Sequence, residues 1–581
     1  MKLSDYVMKF LRDQDIKFIF GYIGGSTLHL IDSLNQLEGL TYIQNYHEQA
    51  SSFSADAYSR SSGNIGVAIA TSGPGATNLI TGIANAFYDS VPCLFITGQV
   101  SVHHMKKTPE IRQQGFQETD IVSIVKPITK FAKTLLNPEM IRYDLEKAFH
   151  YAKAGRPGPV LIDIPHNLQA SEIEPQTLHS FFDSNEQISK NRQPDMSVVK
   201  QVASMLAEAK RPVILAGGGV GAINNTDIFE TFVKIYDLPV VCSLMGLSSI
   251  NHDDKHFCGF IGSYGNRYAN FAVAKSDLLL VLGSRLDDRQ IGDNASLFAR
   301  DAKIIHVDID PYELNHKVCE SISICCDIKD YLNVMIGEIG DRKFDNKAWL
   351  DNIHAWREKY PSYPVQSNTD YIDPNECMYV LSQKLSNNVT VCVDVGQHQM
   401  WVAQSFSLAG KKQFITSGGH GAMGYSLPAG VGAYFASSNS DRQIICIMGD
   451  GSIQMSLYEL QTISREEIPL KIFVLNNSTL GMVRIYQEKY FNDECIGTAD
   501  GYTTPDFEKL AYAYNIAYTK VETNQDFDKM DKGIASKKPH FFEIILSPSA
   551  QIIPEPFPGR AVEDQFPLLD RNEFNKLLNM D

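Results

Sequence analysis

At 581 residues, 44% hydrophobic and 21% charged, the chain is too long for one core and reads as an ordinary globular protein of two to four domains. A formal charge of −16 with no compensating basic run excludes a nucleic-acid partner, and no apolar stretch approaches the roughly 20 residues of a membrane span. Ten scattered cysteines without a CxxC pair, and an N-terminus broken by charges, predict a reduced, cytoplasmic protein without a signal peptide or membrane partner.

In chain order, an amphipathic helix over 2–14 leads to a strand at 18–20 and the glycine turn 21–25. A strand at 41–44 ends in Tyr46-His47-Glu48-Gln49, followed by a small-residue helix over 50–59. A strand at 65–70, the loop Thr71-Ser72-Gly73-Pro74-Gly75, a helix over 76–86 and strands at 93–97 and 160–164 complete an alternating βα pattern. The polar stretch 171–196 reads as a linker. A second block has strands at 212–216, 239–242, 278–282 and 304–309, with Gly217-Gly218-Gly219 after the first. The charged stretch 338–370 reads as a second linker, and a third block opens with a strand at 390–393. The apolar runs are continuous rather than alternating, as in parallel strands buried on both faces. The fold class is therefore α/β, with three doubly wound parallel-sheet domains over 1–170, 190–340 and 365–550 and a tail over 551–581.

The third block carries the most specific signal. Gly449-Asp450-Gly451 follows the apolar run 444–448, and Asn476-Asn477 follows the run 472–475, with Met455, Leu457, Leu460 and Ile463 at helical spacing between them. A carboxylate and an amide oxygen at the ends of two parallel strands, with a backbone carbonyl near Thr479, make half of an octahedral Mg²⁺ shell that phosphate oxygens and water complete. Gly449, Gly451 and Ser452 let a diphosphate approach the backbone.

This spacing resembles the thiamine-diphosphate fingerprint, and the resemblance extends from residue 2 to about 545. It is carried by HEQ (47–49), ATSGPGATNLITGIA (70–84), ITGQV (96–100), GFQETDIV (115–122), GRPGPVLIDIP (155–165), DDR (287–289), DVGQHQMW (394–401), TSGGHGAMGYSLPA (416–429) and LGMVR (480–484). The chain thus resembles the catalytic subunit of the acetohydroxyacid (acetolactate) synthase family. The resemblance implies pyrimidine-binding, central and diphosphate-binding domains, and active sites between chains of a homodimer or homotetramer. It also implies thiamine diphosphate, Mg²⁺ and a non-redox FAD as cofactors, and a possible separate regulatory subunit.

On the same footing, Glu48 faces the aminopyrimidine ring. Met423 is the wedge that bends the cofactor, and Gly421 offers its carbonyl to the amino group. Gly396, Gln397, His398 and Met482 fall at further cofactor positions. Arg156, Gly217, Gly218, Gly219, Leu244, Met245, Gly262, Arg285, Asp308 and Asp327 fall at FAD positions. Arg289 grips the carboxylate of a second 2-keto acid, Phe116 and Gln117 lie near the reacting carbon, and Lys130 lies at a channel mouth. The implied activity is decarboxylation of pyruvate and transfer of the two-carbon unit to a second 2-keto acid.

Three departures stand out. Tyr486 occupies the family's acceptor-selecting tryptophan position. His420 and Tyr425 replace the usual residues beside the cofactor. The tail GRAVEDQFPLLDRNEF (559–574) resembles relatives that transfer the unit to a nucleotide-linked keto-sugar. His103-His104 read as loop residues. A pyruvate oxidase with a redox flavin and an inactive scaffold are the other readings weighed.

Overall fold

The structure, a computed structural model, describes residues 1–184, 192–221, 226–338, 340, 344–363, 371–437 and 440–578. The domain boundaries set at 190 and 365, and parts of both expected linkers, lie outside them. Three six-stranded parallel sheets form the frame. The first holds β1 (Phe18–Tyr22), β2 (Thr41–Gln44), β3 (Gly66–Ala70), β4 (Cys93–Gln99), β5 (Phe131–Thr134) and β6 (Val160–Pro165), in the order β2-β1-β3-β4-β6-β5. The second holds β7 (Pro212–Ala216), β8 (Val240–Cys242), β9 (Phe257–Phe260), β10 (Leu278–Leu282), β11 (Lys303–Asp308) and β12 (Ile322–Cys325), in the order β12-β11-β10-β7-β8-β9. The third holds β13 (Val389–Val393), β14 (Gln413–Thr416), β15 (Gln443–Gly449), β16 (Lys471–Asn476), β17 (Ala517–Val521) and β18 (His540–Ile545), in the order β14-β13-β15-β16-β18-β17. Among the described residues no helix is long and apolar enough to cross a membrane.

Strand side chains alternate between faces, so each continuous apolar run feeds two cores. In β3, Val67 and Ile69 enter one cluster and Ala68 and Ala70 another. In β15, Ile444, Cys446 and Met448 share the second of these clusters with the first sheet, while Ile445 and Ile447 share a third with the central sheet. The third sheet thus shares a core with each of the other two. The contact with the first sheet runs through the helices Glu48–Ser62 and Ser426–Ala436. A Cβ on Gly432 would lie 2.0 Å from the Ser54 carbonyl, so glycine is required for that approach.

Two expected linkers are in fact packed. The stretch 338–370 contains the helix Lys347–Lys359, whose Trp349, Leu350, Ile353 and Trp356 are buried on the central sheet with Phe574 and Leu577 of the tail. The charges that suggested a linker line the outer face of this helix. The stretch after 170 returns to the N-terminus, with Leu3 N donating to Ser171 O (2.9 Å) and Ile173 N to Met1 O (2.9 Å). The helix expected across 455–463 is broken: Asp450–Gln454 and Glu459–Arg465 are separate helices, and Met455 is half exposed.

Strand order reverses between β13 and β15, between β7 and β10, and between β1 and β3. The chain leaving such neighbours diverges to opposite faces and opens a crevice at the carboxyl edge, where α/β folds hold ligands.

Candidate active site

At the crevice of the third sheet, Asp394 follows β13, Asp450 follows β15 and Asn477 follows β16. Asp394 accepts from the N–H groups of Val395 (2.9 Å), Gly424 (2.9 Å) and Ser426 (2.8 Å), and burial pushes its carboxyl up to about 6. It pins the glycine loop that carries Gly421 and Met423. Gln397 joins two segments: its Oε1 accepts from Asn477 Nδ2 (3.0 Å) and its Nε2 donates to Ala550 O (2.8 Å). A Cβ on Gly481 would lie 1.9 Å from that Oε1, which fixes glycine there. Ser452 Oγ donates to Val395 O (3.3 Å), and the ring of His398 lies 3.1 Å from the Cβ position of Gly449. Gly396 carries this turn, Gly451 packs against Leu480, and Met482 packs on the adjoining core.

Among the described residues three buried polar atoms of this edge have no hydrogen-bond partner: Asp450 Oδ2, Thr479 Oγ1 and His398 Nε2. Burial pushes Asp450 up to about 7 and His398 down to about 3, so the imidazole is neutral. Groups of three His, Cys, Asp or Glu side chains that could hold a metal are absent among the described residues. The oxygen donors here are one carboxylate, one amide and the Thr479 segment. That is the hard, sparsely charged set that suits Mg²⁺ shared with phosphate oxygens, and an unpartnered carboxylate oxygen fits such an ion.

At the crevice of the first sheet, Glu48 begins the helix Glu48–Ser62 and is 7% exposed. It accepts from Asn78 Nδ2 (2.9 Å), and its Oε1 lies 3.0 Å from the Cβ position of Gly75. Gln117, at φ 63°, packs on Gly73, at φ 64°, in the same turn. The chain therefore gathers Glu48, Asn78, Gly73, Gly75 and Gln117, while Phe116 is 86% exposed beside them. Glu118 holds this loop through the N–H groups of Lys106, Gln114 and Gly115.

A cavity of about 490 Å³ lies between the amino edge of the first sheet and the carboxyl edge of the central sheet. Arg156, Gly218, Gly219, Leu244, Met245, Arg285, Asp308 and Asp327 line it, and so does Arg289. Gly217 and Gly262 stand behind the wall: their Cβ positions fall 2.1 Å from Gly283 O and 2.3 Å from Arg289 O. Arg156 is held by Asp310 (3.0 Å) and Glu313 (2.9 Å), whereas Arg285 is loosely paired with Asp287 (3.7 Å). Tyr264, in the same wall, lies near Tyr486 and Arg289. Lys130 is elsewhere. It precedes β5 at the amino edge, donates to Ala154 O (2.5 Å), and burial lowers it to about 8.

Asp394, Asn78, Glu118 and Tyr264 were not singled out from the sequence. Asp394 had a signal, a carboxylate between a buried strand and a glycine; Tyr264 had none.

Three family profiles match the chain. They are the N-terminal TPP binding domain of thiamine pyrophosphate enzymes over residues 1–124, the central domain over 199–335 and the C-terminal TPP binding domain over 394–544. The chain belongs to the thiamine pyrophosphate enzyme family. It is a thiamine-diphosphate-dependent enzyme similar to acetolactate synthase large subunits over nearly its whole length. It is 38% identical to that of Cyanidium caldarium over 559 residues, covering 94% of this chain and 93% of the relative. It is 35% identical to that of Lactococcus lactis over 554 residues (95% and 93%), and 35% identical to acetolactate synthase 1, chloroplastic, of Zea mays over 579 residues (97% and 88%).

Proposed function

We propose that this chain decarboxylates pyruvate and transfers the two-carbon unit to a second 2-keto acid, forming an acetolactate-type product. The similarity to acetolactate synthases over nearly the full length carries this reading. Bound thiamine diphosphate supplies the electron sink for loss of CO₂ and the nucleophilic two-carbon unit. The residues of the chain do the rest. Asp450, Asn477 and the Thr479 carbonyl would hold Mg²⁺ and the diphosphate, and Gly421 and Met423 would meet the cofactor's rings. Glu48, kept in place by Asn78, holds a proton at the pyrimidine nitrogen. Gln117 and Phe116 face the reacting carbon, and Arg289 grips the acceptor carboxylate with a forked pair of N–H bonds. The central cavity would hold FAD, with Asp308 and Asp327 suited to its hydroxyl groups and Arg285 to a phosphate. The designation "large subunit" in the relatives supports assembly into an oligomer, with a second kind of subunit in it.

A keto-sugar acceptor is the second reading, favoured by the Tyr264–Tyr486 pair of phenols beside Arg289. Mass spectrometry of products from labelled pyruvate, with and without 2-keto acids and nucleotide keto-sugars, separates the two. Rapid acetolactate formation from pyruvate alone supports the first. Slow turnover that rises only when a keto-sugar is added, yielding its two-carbon adduct, supports the second. Glu48→Gln is expected to cut CO₂ release by about 10²–10⁴-fold with the fold retained; near wild-type turnover removes Glu48 from its role.

A further inference from the structure

Tyr88 and Asp89 end the helix Ile80–Tyr88 and stand in the wall of the central cavity, with Arg60 and Gly418. The same residues hold the loop that leads to Gly421 and Met423. Asp89 accepts from Gly418 N (3.0 Å) and Gly419 N (2.7 Å). Arg60 bridges Asp89 (2.9 Å) and Asp56 (2.8 Å), and Asp56 accepts the Tyr425 phenol (2.5 Å) where the loop enters its helix. Asn85, one turn earlier, accepts from Ser417 Oγ (2.5 Å), which in turn accepts from Ala422 N (2.9 Å). Above this buried base, the Tyr88 ring stacks on His420 with centroids 5.6 Å apart and planes at 16°. Within the single chain the tip is bare: His420 and Gly421 are exposed, and the Cβ position of Gly421 meets nothing within 4 Å among the described residues.

We propose that Tyr88 and Asp89 are positioning residues that couple the central cavity to the Ser417–Met423 loop. A flat dinucleotide in the cavity and thiamine diphosphate at the loop then bind with positive cooperativity. This rests on the assignment of those two ligands above and adds the link between them. A planar ligand against Tyr88 and Gly418 restricts the Tyr88–His420 stack and the Gly418–Gly419 peptides. The cost of ordering the bare tip is thereby met once, and the second ligand binds a loop already set. Linkage requires the effect to be reciprocal. His420 and Tyr88 are exposed, so the stack contributes little to the folded core, and its effect is legible in binding.

The test is calorimetric titration of the full-length, cofactor-free protein. Thiamine diphosphate with Mg²⁺ is titrated with and without saturating FAD, and FAD with and without thiamine diphosphate. Each ligand is expected to tighten the other by the same factor, at least about fivefold. Tyr88→Ala and His420→Ala are expected to bring that factor close to one while each ligand still binds alone. Asp89→Asn is expected to weaken thiamine diphosphate binding further. Two ligands that bind independently in the wild type, or a factor unchanged in Tyr88→Ala and His420→Ala, overturn the coupling alone. Failure of FAD to bind at all overturns the cavity assignment, and the coupling with it.

Discussion

Glu118→Gln isolates the loop that presents Phe116 and Gln117. The Glu118 carboxylate is 7% exposed, and it accepts from Lys106 N (2.6 Å) on one oxygen and from Gln114 N (2.7 Å) and Gly115 N (3.2 Å) on the other. Burial alone would raise its pKa, yet those N–H groups hold it below the ordinary glutamate value. Glutamine keeps one acceptor oxygen and turns an NH₂ toward N–H donors, so one or two backbone groups lose their partner. Each such bond to a charged group is worth about 1.5–3 kcal/mol, which sets the local loss for one or two bonds at about 1.5–6 kcal/mol. At 1.4 kcal/mol per tenfold, the open loop becomes at least about 10-fold, and at most about 2 × 10⁴-fold, more populated. Lys107 and Arg112 are exposed, so trypsin reads that population directly when opening is fast relative to cleavage. The expected result is faster cleavage at Lys106, Lys107 or Arg112 with little change in the thermal midpoint, because the loop lies outside the sheets. It is accompanied by a loss in the step that uses Gln117. Cleavage at the wild-type rate refutes the clamp.

Asp163 lies within the first sheet, bonded to Thr97 (2.7 Å), Gln99 (3.1 Å) and Thr134 (3.1 Å), and burial pushes it up to about 7. A carboxyl raised in the folded state contributes stability that is complete below its unfolded value near 4 and lost as pH rises through 7, about 4 kcal/mol over the whole window. Asp163→Asn is therefore expected to gain on the wild type in thermal midpoint between pH 4.5 and 8; a difference that stays constant with pH contradicts the assignment. Trp356, edge-on to Trp349 at 5.5 Å and near Phe271 at 6.0 Å, anchors the helix Lys347–Lys359. Trp356→Ala is expected to cost about 3–5 kcal/mol in the central unit, and an unmoved melting transition would return this helix to the status of a linker.

The buried parallel strands were the most legible elements, because a strand covered on both faces needs an unbroken apolar run. Residues 212–216 and 278–282 are strands to the residue. The helix Lys347–Lys359 was missed for the opposite reason. Its apolar stripe is narrow, and the charges between its buried residues outweigh that stripe when read along the chain. The break at Met455 was invisible because Met455, Leu457, Leu460 and Ile463 keep helical spacing straight through the turn. In the site, Asp450 and Asn477 were readable because a carboxylate and an amide directly after buried strands have few structural reasons to be there. Tyr264 and Asp89 were not readable. What they do depends on residues more than 200 positions away, Tyr486 in one case and Gly418 in the other, and no local pattern records such a pairing.

A group of unmet polar atoms marks the crevice of the third sheet. Several buried charges away from the crevice are fully paired: Asp56 by Arg60, Tyr425 and Asn85, Glu459 by Asn45 and Tyr46, and Lys471 by the Ser536 and Lys538 carbonyls. Among the described residues fifteen buried side-chain atoms lack a partner, and three of them, on His398, Asp450 and Thr479, gather at the carboxyl edge of the third sheet. Each unpartnered buried group costs about 1–3 kcal/mol, so this edge carries roughly 3–9 kcal/mol of destabilisation in a fold whose net stability is of similar size. Such a cost is sustained only by the packing on either side, and the third sheet is the one sheet that shares a core with both others. A ligand that satisfies these atoms stabilises the folded chain in proportion to its occupancy. The unmet atoms of the crevice thus lie in a sheet whose strands share a core with both of the others.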